Sequence, residues 1–332
     1  MAINIDITDF RFEDVSEVGK HSYFLEIAPA GSGEQIGIPL LIANGSRMGK
    51  TLVVFAAVHG NELEGVQAIQ DVFARLDTSE MSGKLIAVPV ANLPAFRKVQ
   101  RVSPIDGLNL ARTFPGNMSG TVTERIAHYL SELIIPQGDF FLDLHSAVTA
   151  LMPTMAGYDA AKTEIGKLSR EAALRCGMPV VWGHPEIGPG RSLCSASANG
   201  IPWLYVESSS GGRVSPDELP FYTGAVLNLL GHLKIIDREP STIEPELHLI
   251  GSGDVDTIQS VNTAGFFVQK TALLDHVEAG TLVGEVRDLF GSVLEEIYTE
   301  QAGYVAVLRA DPLVNPGDQV CLVTPALSDT DL

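Results

Sequence analysis

A histidine and a glutamate stand three positions apart in Val58-His-Gly-Asn-Glu-Leu, directly after the apolar run Thr51 to Val58. An imidazole and a carboxylate at that spacing can converge on one ion if the chain turns at once after a strand, and Gly60 permits such a turn. A second imidazole, His145, closes another apolar run at Asp139-Phe-Phe-Leu-Asp-Leu-His. Two histidines and one carboxylate form a catalytic zinc set that leaves a position open for water or substrate. Asp143, two residues before His145, is placed to orient a histidine from behind. The six other histidines (His21, His128, His184, His232, His248 and His276) are read as ordinary core or surface residues.

The elements that must position these groups are legible as hydrophobic runs. Thr51–Val58, Lys84–Val90 and Asp139–His145 are continuous apolar stretches of strand length, the pattern of strands buried on both faces of a sheet. Met178–Trp182 and Ile201–Glu207 continue the series, while helical periodicity marks about Glu64–Leu76, Val122–Leu133 and Leu219–Leu233. Strands alternating with helices predict an α/β architecture, a mostly parallel mixed sheet flanked by helices. In such sheets ligands gather at strand ends, where side chains leave the packed core.

Residues 1–45 read as an N-terminal β segment, with extended runs at Ser22–Ile27 and Ile38–Ile42 and a Gly-rich turn at Ala30-Gly-Ser-Gly. The catalytic domain is expected over 46–237. Arg238-Glu-Pro-Ser-Thr-Ile-Glu-Pro reads as a linker to a C-terminal all-β domain at 245–326, where short β-like runs alternate with Gly turns. Hairpins such as Val277-Glu-Ala-Gly-Thr-Leu-Val-Gly are similar to those of lipoyl- or biotinyl-type carrier domains. A carrier would need a lysine at a hairpin tip, and no lysine follows Lys270, so a carrier role is not expected.

Composition narrows the partners. Over 332 residues, 41 acidic side chains against 22 basic ones give a formal charge of −19, which repels phosphate backbones and anionic lipid surfaces. No nucleic-acid partner is expected, and no apolar stretch reaches the length of a membrane span. The first residues carry no secretory pattern, so a cytoplasmic location is expected. Cys176, Cys194 and Cys321 lack metal-site spacing and read as small buried hydrophobes.

Taken together, Ala57-Val-His-Gly-Asn-Glu-Leu-Glu-Gly, Pro89-Val-Ala-Asn-Leu-Pro-Ala-Phe, Asp106-Gly-Leu-Asn-Leu-Ala-Arg-Thr-Phe-Pro-Gly, Asp143-Leu-His-Ser and Tyr205-Val-Glu-Ser resemble the succinylglutamate desuccinylase/aspartoacylase family, relatives of the zinc carboxypeptidases. The resemblance covers roughly Thr51 to Leu233 and, more loosely, the β tail. It implies one zinc ion per chain on His59, Glu62 and His145, with Glu207 as general base and acid. It also implies that Arg101 polarises the scissile carbonyl and that Arg112 grips a substrate carboxylate, with Asn109 among the substrate contacts. Arg191 is a further substrate-binding candidate. Family members commonly read Asn-Arg where this chain has Ala111-Arg112, so the alanine is expected to enlarge the pocket or shift the preferred substrate.

The expected activity is hydrolysis of the amide in a small N-acyl amino acid or related compound, with the β domain narrowing the cleft. Length and tail look closest to the subgroup that includes deacetylases of N-acetyl-diaminobutyrate. Two other readings share the same residues: a carboxypeptidase acting on peptides, and a non-catalytic metal- or ligand-binding protein. Homo-oligomerisation is left open.

Overall fold

The computed structural model describes residues 2–27, 35–254 and 258–327; the turn expected at Ala30–Gly33 lies outside them. In chain order the strands of the first part are β1 (Ile3–Asp6), β2 (Gly19–Glu26), β3 (Gly37–Asn44), β4 (Arg47–Ala56), β5 (Ser82–Val88), β6 (Phe140–Leu144), β7 (Ala150–Leu151), β8 (Met155–Asp159), β9 (Val180–His184), β10 (Trp203–Glu207) and β11 (Leu247–Ile250). The helices are α1 (Glu64–Arg75), α2 (Leu93–Lys98), α3 (Val122–Tyr129), α4 (Glu164–Ala173), α5 (Ser192–Ala198) and α6 (Leu219–His232).

Ten of these strands form one sheet in the order β1-β2-β3-β5-β4-β6-β10-β8-β9-β11. The centre, β5-β4-β6-β10, is parallel, and antiparallel steps occur where β2 meets β3, β3 meets β5 and β10 meets β8. Alternate side chains of the central strands feed two cores, as the two-residue period of a strand requires. Val54, Ala56, Leu142 and Leu144 pack with α1, α4 and α6, while Val53, Phe55 and Phe141 pack with α3 and α5. Every residue from Leu52 to Val58 is fully buried, which is why this segment reads as unbroken apolar sequence. The start of α3 is set by a capping box in which Thr121 and Glu124 satisfy each other's backbone N–H.

The strands of the N-terminal segment continue the large sheet, through β3 pairing with β5. At the other edge, Leu247–Ile250 was expected within the β tail, but as β11 it pairs in parallel with β9. The reason is local: the linker brings the chain back along β9, and Glu246 N–H donates to the Pro179 carbonyl.

Beyond it lie β12 (Gln259–Ser260), β13 (Gly265–Gln269), β14 (His276–Val277), β15 (Leu282–Arg287), β16 (Val293–Tyr298), β17 (Gly303–Arg309), β18 (Leu313–Val314) and β19 (Gln319–Thr324). They make two antiparallel sheets, β12-β19-β17-β14 and β16-β15-β13-β18, around their own apolar core. The short β7 pairs with β17, which ties the tail to the loop following His145. Cys176 and Cys321 are buried as expected, and Cys194 is partly exposed. No helix among the described residues is long and apolar enough to cross a membrane.

Candidate active site

Three adjacent parallel strands deliver the central residues. The chain leaves β4 through Ala57, held at φ +48°, and His59 and Glu62 follow before α1 begins. Gly60 does not supply the positive φ. It lets this loop lie against α2, because a Cβ there would fall 2.1 Å from the Ala95 carbonyl carbon. His145 follows the last residue of β6, and Glu207 is the last residue of β10.

Glu62 is the hub. One carboxylate oxygen lies 2.7 Å from His59 Nδ1 and the other 2.8 Å from His145 Nδ1. The far edge of each ring meets an oxygen acceptor: His59 Nε2 is 3.1 Å from Asn109 Oδ1, and His145 Nε2 is 3.2 Å from Asp143 Oδ2. With a proton held at each Nε2, both Nδ1 atoms, each beside an oxygen of Glu62, would be left with lone pairs to offer a cation. A ligand atom from each of His59, Glu62 and His145 lies within 4.8 Å of the others. Donor types, shared focus and rear-side partners all fit a divalent cation.

The electrostatics are those of a tightly coupled buried cluster. Burial opposes ionisation of Glu62, but the two imidazoles outweigh it and hold the carboxyl well below its usual range. Burial also disfavours a charged His145, yet Asp143 and Glu62 overcome this and hold it well above normal. His59 goes the other way, pushed down chiefly by burial and also by the guanidinium of Arg101. Arg101 Nη1 donates to Glu62 across 3.3 Å and lies 3.4 Å from His59 Nδ1. Glu207 is pushed up to about 8 by burial and by the negative charge of Glu62. Its Oε1 is shielded from solvent and has no hydrogen-bond partner among the described residues.

A cavity of about 320 Å³ joins these groups. Its walls include the cluster, Arg101, Arg112, Arg191, Glu207 and the methyl of Ala111, and its far side is supplied by Val307, Arg309, Gln319 and Val320 of the β tail. Arg191 is ion-paired to Asp254 at 2.7 Å. Asn109 meets His59 and the Ala111 N–H rather than standing in the cavity wall. Every residue singled out in the sequence is thus in or beside this one site.

His184 was missed. It lies 3 % exposed at the end of β9 and lines the cavity, with Nδ1 bonded to the Gly251 carbonyl and Nε2 2.8 Å from the Tyr205 hydroxyl. Burial pushes its imidazole down to about 4. Its place at a strand end, like that of His59 and His145, was the available signal.

The model of the succinylglutamate desuccinylase/aspartoacylase catalytic domain matches residues 48–233, and the chain belongs to this family. Among its relatives is the N-alpha-acetyl-L-2,4-diaminobutyric acid deacetylase of Halomonas elongata, 31% identical over 281 residues, which cover 83% of this chain and 82% of that protein. A succinylglutamate desuccinylase/aspartoacylase structure from Rhodobacter sphaeroides superposes with a TM-score of 0.85 at 25% identity, covering 97% of this chain and 98% of that one. The ectoine utilization protein EutE (DoeB) of Ruegeria pomeroyi, solved with product bound, gives 0.85 at 27% identity, covering 93% and 96%. The chain is thus an enzyme of the deacylase class by family and by relative.

Proposed function

We propose that this protein is a zinc-dependent deacylase that hydrolyses the amide of a small N-acyl amino acid, with N-acetyl-2,4-diaminobutyrate the leading substrate. The observation that carries the reading is Glu207, which lines the same cavity as the His59–Glu62–His145 cluster and has a buried carboxylate oxygen with no partner among the described residues. The choice of substrate rests on the name of the Halomonas relative.

His59, Glu62 and His145 would hold a dication, which when bound would supply Lewis acidity and make water easier to deprotonate. Glu207 takes a proton from the water that attacks the amide carbonyl carbon. It returns that proton to the amine nitrogen as the C–N bond breaks, leaving a carboxylate and an amine. Arg101, beside Glu62, donates to the carbonyl oxygen as negative charge builds there. Arg112 pairs with the substrate carboxylate, a task suited to its fixed fork of donors. Asn109 and Asp143 hold the two imidazoles, and Arg191 with Asp254 forms part of the wall. A cavity of about 320 Å³, closed on one side by the β tail, is at the small end of ligand pockets and suits an acylated amino acid better than a peptide.

The test is a panel of N-acyl amino acids and short peptides assayed with and without chelator. Acetate release from N-acetyl-2,4-diaminobutyrate, abolished by chelation and restored by zinc, is expected. Faster turnover of N-succinylglutamate or N-acetylaspartate would reassign the substrate. Release of C-terminal residues from peptides, with no turnover of acylated amino acids, would make the protein a carboxypeptidase instead.

A further inference from the structure

The loop from Pro185 to Arg191 connects His184 to the start of α5 and lines the cavity through Glu186, Ile187, Gly188 and Arg191. Its ends are fixed. His184 is anchored through both ring nitrogens, and Gly190 accepts from the Phe114 N–H. Gly190, at φ +78°, lies so close to Arg112 that a Cβ would fall 2.5 Å from the Arg112 carbonyl oxygen. The loop is therefore docked by backbone contact on the segment that carries Arg112.

The acids of the cavity differ in their commitments. Glu62 faces both imidazoles, Asp254 is paired with Arg191, and Glu207 is the proton carrier in the reading above. Glu186 is exposed on its loop at the cavity wall, with no hydrogen bond or ion pair among the described residues. Ala111, beside Arg112, offers the site no polar group. The wall thus carries an uncommitted carboxylate on a loop docked against the backbone of Arg112, and the same wall includes Arg112 itself, a pairing suited to a ligand with charges of both signs.

We infer that Glu186 is a specificity residue that recognises an ammonium on the amine half of the substrate while Arg112 holds its carboxylate. This rests on the deacylase reading and narrows it to zwitterionic acylated diamino acids. A substrate whose side chain ends in a carboxylate would set like charge against Glu186, so the same residue both favours the diamino acid and disfavours acylated dicarboxylates. Because Glu186 is exposed, water and salt screen the pairing and its contribution is modest.

The experiment compares metal-loaded wild type with Glu186→Gln and Glu186→Asp on three substrates. These are Nα-acetyl-2,4-diaminobutyrate, Nα-acetylnorvaline (the same chain length with methyl in place of ammonium) and N-acetylglutamate. In Glu186→Gln the ratio of kcat/KM for the diaminobutyrate compound over the norvaline compound falls about fivefold, the limit for an exposed ion pair. The ratio for N-acetylglutamate over the norvaline compound rises. Glu186→Asp keeps the charge and retains most of the wild-type preference. Ratios unmoved by Glu186→Gln would overturn the assignment, as would a wild type that hydrolyses these compounds without favouring the ammonium; deacylation itself would stand in either case. Metal-loaded wild type that hydrolyses no acylated amino acid would overturn the deacylase reading, and the role of Glu186 with it.

Discussion

Asp143 Oδ2 lies 3.2 Å from His145 Nε2, on the edge of the ring opposite the one that faces Glu62. Asp143 is 1 % exposed and also accepts a hydrogen bond from the Ser192 hydroxyl, so its own position is fixed. Its charge keeps a proton on Nε2 and makes Nδ1 the more basic donor. Asp143→Asn removes that charge at nearly constant volume. Zinc affinity should fall about 10- to 100-fold, the usual effect of losing a partner behind a ligating histidine. Competition against a chromophoric chelator measures it, and unchanged affinity would remove Asp143 from the site.

Glu207→Gln separates metal binding from chemistry. Glutamine fills the same space at the end of β10 but cannot accept and return a proton. Zinc content should match wild type while kcat drops by about 10²- to 10⁴-fold, the range expected for loss of a general acid–base group. Near-normal kcat at full metal occupancy would move the proton transfer elsewhere.

What the sequence disclosed, and what it hid, follows from which contacts are local. β4, β6 and β10 are buried on both faces, so their own residues announce them; the strand-end rule then finds His59 and His145, whereas Glu207, at the end of β10, was implied by the family resemblance. β8 was passed over. Its Gly157 leaves a slot filled by the ring of Tyr205, to which a Cβ would approach within 1.9 Å, so the packing that makes Met155–Asp159 a strand is supplied by a neighbouring strand. His184 was set aside for a similar reason: its partners, Tyr205 and Gly251, are distant in the chain. Gly60 was noticed for the wrong property. A glycine required by a nearby backbone and one required by a positive φ look alike in sequence, and here Ala57 takes the positive φ.

His184 makes stability depend on pH in a predictable direction. Burial pushes its imidazole down to about 4 from an ordinary 6.5, so the unfolded chain binds the proton more readily than the folded one. Its contribution is fully present above the unfolded value and is lost as pH falls through the folded one. Acidifying from pH 7 to 4 should remove roughly 3 kcal/mol from this residue alone. In urea unfolding with chelator present throughout, His184→Gln should lose that much less than wild type over the same interval. Parallel losses in the two proteins would mean that His184 does not carry the effect.

Gly60→Ala tests whether the approach of the ligand loop to α2 is needed for the metal site. The added methyl would meet the Ala95 carbonyl carbon at 2.1 Å and the Phe96 nitrogen at 2.2 Å, both backbone atoms that no rotamer change can move aside. Either α2 shifts or the His59–Glu62 loop does. Overpacking of this kind destabilises by about 1–3 kcal/mol, and a loop that yields also spreads two ligands. The variant should therefore show both a lower urea midpoint and weaker zinc binding. Ala57→Gly is the matched control: relief of the +48° backbone angle and loosening of the unfolded chain oppose each other at about 1 kcal/mol each, and loss of the fully buried methyl costs about a further 1 kcal/mol. It should lose about 1 kcal/mol of stability while keeping wild-type zinc affinity. Gly60→Ala with unaltered midpoint and zinc affinity would show that the loop has room the close approach denies.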